Sequence, residues 1–201
     1  MTAAAATPLI AEEDALRADL YDLLAALLAR PPSVELLARV GALQGGEGEI
    51  GRAVTALAEA ARREDPKRAS REFHALFIGL GRGELLPYAS YYLTGFLNEK
   101  PLGALRGDMA ALGVARADTV YEPEDNIASL CEIMAGLIRG RFRGTVPLSR
   151  QRDFFNRHLA PWAGHFFSDL ENAENAALYA PVAALGRAFV EVEKTAFRLE
   201  R

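Results

Sequence analysis

Tyr121-Glu-Pro-Glu-Asp-Asn-Ile-Ala-Ser-Leu-Cys-Glu-Ile-Met-Ala-Gly-Leu-Ile138 is a turn crowded with acids that runs directly into an apolar helix. Pro123 sets φ to about −65° and has no N–H, which suits the first turn of a helix, where that donor has no intrahelical partner. Glu122, Glu124 and Asp125 are then expected at the helix N-terminus, where unpaired N–H groups and the helix dipole favour negative charge. Ile127, Cys131, Met134 and Ile138 follow at helical spacing and predict a buried stripe. Taken alone, the stretch reads as a capped core helix. Its neighbours decide what else it does.

Outward from it, every strong periodicity is helical. Leu16, Leu20, Leu23, Leu24, Leu27 and Leu28 form an amphipathic pattern stopped by Pro31-Pro32, and Ser33 caps a short helix through about Ala42. Glycines make 41–51 the best candidate for a flexible linker. Asp65-Pro66 opens a helix carrying Phe73, Leu76 and Phe77 inward, and a glycine-rich loop follows from Gly79 to Ala89. Helical pieces are expected over Ser90–Asn98 and Pro101–Leu112, and the helix of the opening stretch continues to about Phe142. Phe154, Phe155, His158, Trp162, Phe166 and Phe167 predict one aromatic helix kinked at Pro161, before a last helix over Ala176–Arg198. No alternating β-branched run competes with these patterns. The expectation is an all-α, single globular domain over 1–201, frayed in residues 1–10.

Composition narrows the function. Half of the 201 residues are hydrophobic, enough for a sizeable core, and the net charge of −4 argues against a dedicated nucleic-acid binder. Cys131 is the sole cysteine, so neither an internal disulfide nor a cysteine zinc cluster can form. The first ten residues carry no basic segment of the secretory kind, and the apolar run Leu23–Ala29 is far below the ~20 residues that span a bilayer. A cytoplasmic protein without membrane insertion is expected.

Catalytic motifs are missing. Gly79-Leu-Gly-Arg-Gly follows a predicted helix rather than a strand, so it lacks the context of a dinucleotide loop. His158 and His165 lie seven residues apart, roughly 10.5 Å along one helix, too far for one metal. Glu122, Glu124 and Asp125 permit a carboxylate–magnesium enzyme, but no second acidic cluster completes a cage. The arginines at 139, 141, 143, 150, 152 and 157 read as a solvated face. A helical small-ligand or regulatory module is the other alternative. A transcription regulator would bring a basic helix-turn-helix, whereas the N-terminal helix sets Asp14, Asp19 and Asp22 against Arg17.

Three stretches together resemble the TorD/DmsD family of cytoplasmic chaperones for molybdenum-cofactor enzymes. Glu122-Pro-Glu-Asp-Asn-Ile127 and its helix are similar to the family's E-P-x-D-H-I. Phe73-His-Ala-Leu-Phe-Ile-Gly79 with Leu86-Pro-Tyr-Ala-Ser-Tyr-Tyr92 resembles L-F-x-G and P-[WY]-x-S-x-Y. The third is Phe155-Asn-Arg-His-Leu-Ala-Pro-Trp162 with Glu191 and Glu193 of the last helix. The chain departs from the family at Asn126, which stands where the family has histidine and cannot become cationic.

The resemblance implies a non-enzymatic chaperone, needing no cofactor or metal of its own. It would bind the twin-arginine signal peptide of a molybdoenzyme subunit, a formate dehydrogenase or a dimethyl-sulfoxide-reductase-like enzyme, and hold back export until the cofactor is inserted. Monomer and homodimer both fit. Leu76, Phe77, Pro87, Tyr88, Ser90 and Tyr91 are the expected peptide-binding positions on the apolar side, and Glu122, Pro123, Glu124, Asp125 and Asn126 those of the acid-rich turn. Charge complementarity suggests that Glu122, Glu124 and Asp125 meet the two arginines. Burying about four large peptide side chains is worth ~6–12 kcal/mol gross, from which ordering and association subtract, so reversible binding near the micromolar range is expected.

Overall fold

A computed structural model describes residues 11–117, 121–142 and 144–199. The expected fraying of residues 1–10 and the expected solvated position of Arg143 lie outside the described residues. Among the described residues there are ten helices and no strand: α1 (Glu12–Leu28), α2 (Val34–Gly41), α3 (Gly48–Arg63), α4 (Pro66–Phe77), α5 (Ala89–Thr94), α6 (Lys100–Leu112), α7 (Ile127–Arg139), α8 (Leu148–His158), α9 (Ala163–Glu171) and α10 (Tyr179–Leu199). The all-α expectation holds. None of these helices is long and apolar enough to cross a membrane.

Helix α7 is the centre of the fold. Ten of its thirteen residues are buried, including Ile127, Cys131, Met134 and Ile138, and α1 packs along it. A helix apolar around most of its circumference can only be stable when neighbours cover it on several sides. It begins later than the proline suggests. Asn126 is the N-cap, its Oδ1 accepting the N–H of Ala128 at 2.9 Å, and no acid stands in the first turn. Pro123 instead sits in the preceding turn, its carbonyl accepting the N–H of Asn126 at 3.1 Å. The helix also ends earlier than Phe142. Gly140 takes a left-handed conformation at φ 69°, and the Phe142 ring folds back so closely that a Cβ on Gly136 would lie 2.5 Å from it.

On α1 the buried residues are Ala18, Tyr21, Leu24, Ala25, Leu27 and Leu28, while Leu16 is 59% exposed. The leucine stripe is thus rotated toward alanines and a tyrosine. The acids of α1 face α7 and its C-terminal arginines: Arg139 binds Asp19 and Asp22, and Arg141 grips Asp22 at 2.6 and 2.8 Å. Part of the expected solvated arginine face is therefore a clasp between two helices.

The aromatic segment is two helices rather than one kinked helix. α8 stops at His158 and α9 starts at Ala163, because Pro161 supplies no N–H to continue the ladder. Trp162, fully buried, ties the turn down by donating its indole N–H to the His158 carbonyl at 2.7 Å. His158 and His165 fall on different helices. His158 is buried with Nε2 2.8 Å from Asp108, and burial holds its pKa below the usual value against the pull of that carboxylate.

Helix α10 packs on α9 and α3, and its entry is held by carboxylates from elsewhere. Glu72 of α4 accepts the N–H groups of Ala177, Leu178 and Tyr179 at 2.7–3.1 Å, serving as a cap across the fold. Glu84 likewise accepts from the N–H of Glu174 at 2.6 Å and from the Asn175 side chain at 2.8 Å. Burial raises the Glu84 pKa, yet these donors together outweigh it and leave the carboxyl below 4.5. A depressed folded-state pKa stabilises the fold above the unfolded value, and that contribution disappears as pH falls through the folded one. Glu84→Gln is therefore expected to be less stable than the parent near pH 7. Urea midpoints measured from pH 7 to pH 3 should converge, and a constant gap would contradict the assignment.

Candidate functional site

Two sequence-distant segments meet at the start of α7. The N–H of Ile127 donates to the Pro87 carbonyl at 2.9 Å, and the N–H of Ala89 donates to the Asp125 carbonyl at 3.0 Å. Tyr88 and Asn126 pair between these bonds as an isolated antiparallel bridge. The Asp125 side chain adds a further tie, with Oδ2 accepting the N–H of Ser90 at 2.8 Å. The loop after α4 and the acid-rich turn thereby become one edge.

That edge borders an open groove of about 550 Å³ between α1, the end of α4 and the start of α7. Phe77, Ile78, Pro87 and Tyr88 give it an apolar side, joined by Ala26 of α1 and its C-cap residue Ala29, and Ile78 is 51% exposed. Asp22, Glu122 and Glu132 supply acids, and Arg30 and Arg141 also line it. Glu122 accepts a hydrogen bond from the Tyr88 hydroxyl, whose pKa burial and the neighbouring carboxylate push well above 10, so the phenol remains a neutral donor. The Glu122 charge is thus hydrogen-bonded without being neutralised. Glu132 has no ion pair among the described residues, whereas Asp22 is held by Arg139 and Arg141.

The expected site residues separate into two groups. Phe77, Pro87, Tyr88, Glu122 and Asn126 line the groove. Leu76 is fully buried and offers no surface to a peptide, because the apolar face of α4 turns it into the core. Ser90 and Asp125 are also buried, and Ser90 Oγ and Asp125 Oδ1 have no hydrogen-bond partner among the described residues. Tyr91 turns to Arg82, whose guanidinium lies 5.5 Å over its ring and 2.9 Å from its hydroxyl. Pro123 shapes the turn. Glu124 is nearly buried and paired with Arg106 at 2.8 Å and Arg116 at 3.7 Å. Burial raises its pKa, but the arginines prevail and hold it below 4.5. With its single charge already met by two guanidinium groups, Glu124 is a poor partner for an incoming arginine, contrary to the expectation that all three acids would serve alike.

No motif marks Glu132 or Ser129, which also line the groove. Spaced i, i+3, they are the two positions between Ile127 and Ile138 that are not buried. A polar pair at that spacing in an apolar run signals the one strip of a core helix that reaches solvent.

The family model described as nitrate reductase delta subunit matches residues 45–168, more than half of the chain. A curated chaperone protein TorD from Vibrio cholerae is 30% identical over 198 residues, covering 89% of this chain and 90% of its own. The chain belongs to the TorD family. The TorD-family match extends to Aliivibrio fischeri, whose chaperone protein TorD is 28% identical over 88% of this chain and 92% of its own. A solved structure assigned as a redox enzyme maturation protein, from Archaeoglobus fulgidus, superposes with a TM-score of 0.58 over 88% of this chain and 94% of its own, at 24% identity, and supports the fold. Membership of the TorD family makes the chain a molybdoenzyme maturation chaperone and not a catalyst.

Proposed function

We propose that the groove binds the twin-arginine signal peptide of the molybdoenzyme client, in the cytoplasm, and delays export until the cofactor is in place. The observation that carries this reading is that Glu122 and Glu132 border the same groove as Phe77 and Ile78. Such a peptide presents two cations followed by an apolar segment, and the groove offers two carboxylates that form no ion pair among the described residues, beside apolar surface. Bidentate, charge-assisted hydrogen bonds suit guanidinium groups better than a bare ammonium. A formate dehydrogenase or a dimethyl-sulfoxide-reductase-like subunit fits as the client.

Calorimetric titration with molybdoenzyme leader peptides tests the reading. Binding near the micromolar range is expected, weakening as salt is added. The double variant Glu122→Gln, Glu132→Gln should lose roughly tenfold in affinity at low salt and most of the salt dependence, as expected for two partly exposed charge-assisted contacts. Unchanged affinity and salt slope in that variant, or no heat with any leader, would sink it.

A further inference from the structure

The groove shares a wall with a second, smaller cavity of about 160 Å³. Glu122, Ser129 and Glu132 line both, so the exposed strip of α7 and the acid of the turn form a ridge between them. On the far side of the ridge the smaller cavity is bounded by residues such as Ala115, Ile133 and Phe142.

Charge is distributed unevenly across this arrangement. In the larger cavity Asp22 is already bound by Arg139 and Arg141, and in the smaller one Glu124 is bound by Arg106 and Arg116. The carboxylates that form no ion pair among the described residues are those of the ridge: Glu122, which receives only a hydroxyl, and Glu132, which feels Arg141 only at longer range. Two such carboxylates bordering the same two cavities are best neutralised by two cations. A single cation leaves one of them uncompensated.

Successive side chains of an extended peptide point to opposite sides. Two consecutive arginines therefore cannot enter one cavity together, but they can straddle a ridge that has a cavity on each side. We propose that the arginine pair sits astride the Glu122–Ser129–Glu132 ridge, one side chain in each cavity, with both guanidinium groups reaching the same two carboxylates from opposite faces. This rests on the signal-peptide reading and deepens it: the ridge is what makes the site specific for a consecutive pair of basic residues instead of a single one.

The test uses the full chain and four synthetic leader peptides that differ only at the pair: Arg-Arg, Arg-Ala, Ala-Arg and Ala-Ala. In the parent protein each arginine is expected to contribute roughly fivefold to tenfold at low salt, so that Arg-Arg is the tightest. Ala115→Trp fills the smaller cavity at an exposed position. It should abolish the advantage of one single-arginine peptide over Ala-Ala and lower Arg-Arg to the level of the other. Ala29→Trp, on the exposed rim of the larger groove, should do the reverse. Glu132→Gln, nearly isosteric, should weaken both single-arginine peptides, because the ridge serves both sides. If Arg-Ala or Ala-Arg binds as tightly as Arg-Arg, if Glu132→Gln affects only one of them, or if neither tryptophan separates the two, the straddling arrangement is overturned while peptide binding in the groove stands. If none of the four peptides binds the parent protein, the signal-peptide reading fails with it.

Discussion

Replacing Glu193 with alanine is expected to lower the free energy of unfolding by about 3 kcal/mol, toward the low end of the range for breaking a buried ion pair. Glu193 of α10 is 1% exposed and accepts three hydrogen bonds from α1: Arg17 Nε at 2.8 Å, Arg17 Nη2 at 3.0 Å and the Tyr21 hydroxyl at 2.9 Å. Removing it strands a guanidinium whose side chain is only 19% exposed and leaves a buried phenol without that acceptor. Two features hold the loss below the upper limit. Arg17 keeps Asp14 at 2.6 Å, and its guanidinium still rests 5.2 Å over the Phe197 ring. Glu193→Gln retains the shape and an acceptor for Tyr21, so it should cost clearly less than alanine. Urea unfolding at pH 7 reads both. A loss under about 1 kcal/mol for the alanine variant would mean that the α1–α10 connection rests on apolar packing and not on this network.

Gly186→Ala, a change of one methyl group, is expected to cost about 2–3 kcal/mol. A Cβ at position 186 would lie 2.3–2.5 Å from three carbons of the Phe167 ring. Phe167 is 1% exposed and in contact with the Phe166 ring, at a centroid distance of 5.2 Å, so it has little room to withdraw. The clash falls between α9 and α10, and the helices must separate or the ring must leave its rotamer. A melting temperature lower by roughly 5–10 °C is the expected reading for a chain of this size. Gly46→Ala provides the contrast, since its Cβ would meet nothing within 4 Å. Phe167→Leu in the Gly186→Ala background should recover part of the loss, as residues in contact are not additive. A Gly186→Ala protein melting with the parent would show that the interface is looser than its geometry.

Local chemistry was readable where it depended on neighbours in sequence. Ser33 and Asp65 cap α2 and α4 as their residue types predict, and the stripe of Ile127, Cys131, Met134 and Ile138 is buried. Pro123 misled because proline is equally at home in the first turn of a helix and in a turn before it, and Asn126 is the stronger cap. Pro161 suggests a kink for a related reason. Whether a helix bends or stops depends on what fills the break, and here that is Trp162 bonded to His158.

The site was half legible. The loop ending in Pro87-Tyr88 and the turn Glu122–Asn126 could be paired by resemblance, and their hydrogen bonds do join them. The sequence could not sort the acids of that turn. Glu122 and Glu124 stand two residues apart with the same side chain, yet one borders the open groove and the other is enclosed by Arg106 and Arg116.

By itself, then, the sequence determined the helical class, most caps and breaks, the apolar face of α7 and the family. The class, caps, breaks and apolar face follow from periodicity and backbone chemistry within a few residues, and the family from the resemblance of three motifs in register. The tertiary structure alone decided that Glu193 is a buried anchor while Glu191 is exposed, that Gly186 must lack a side chain, and that Glu122 and Glu132 share a ridge. Each of those depends on which surface a distant helix covers, and the free energy of a charge or a methyl group is set by that covering rather than by its place in the chain.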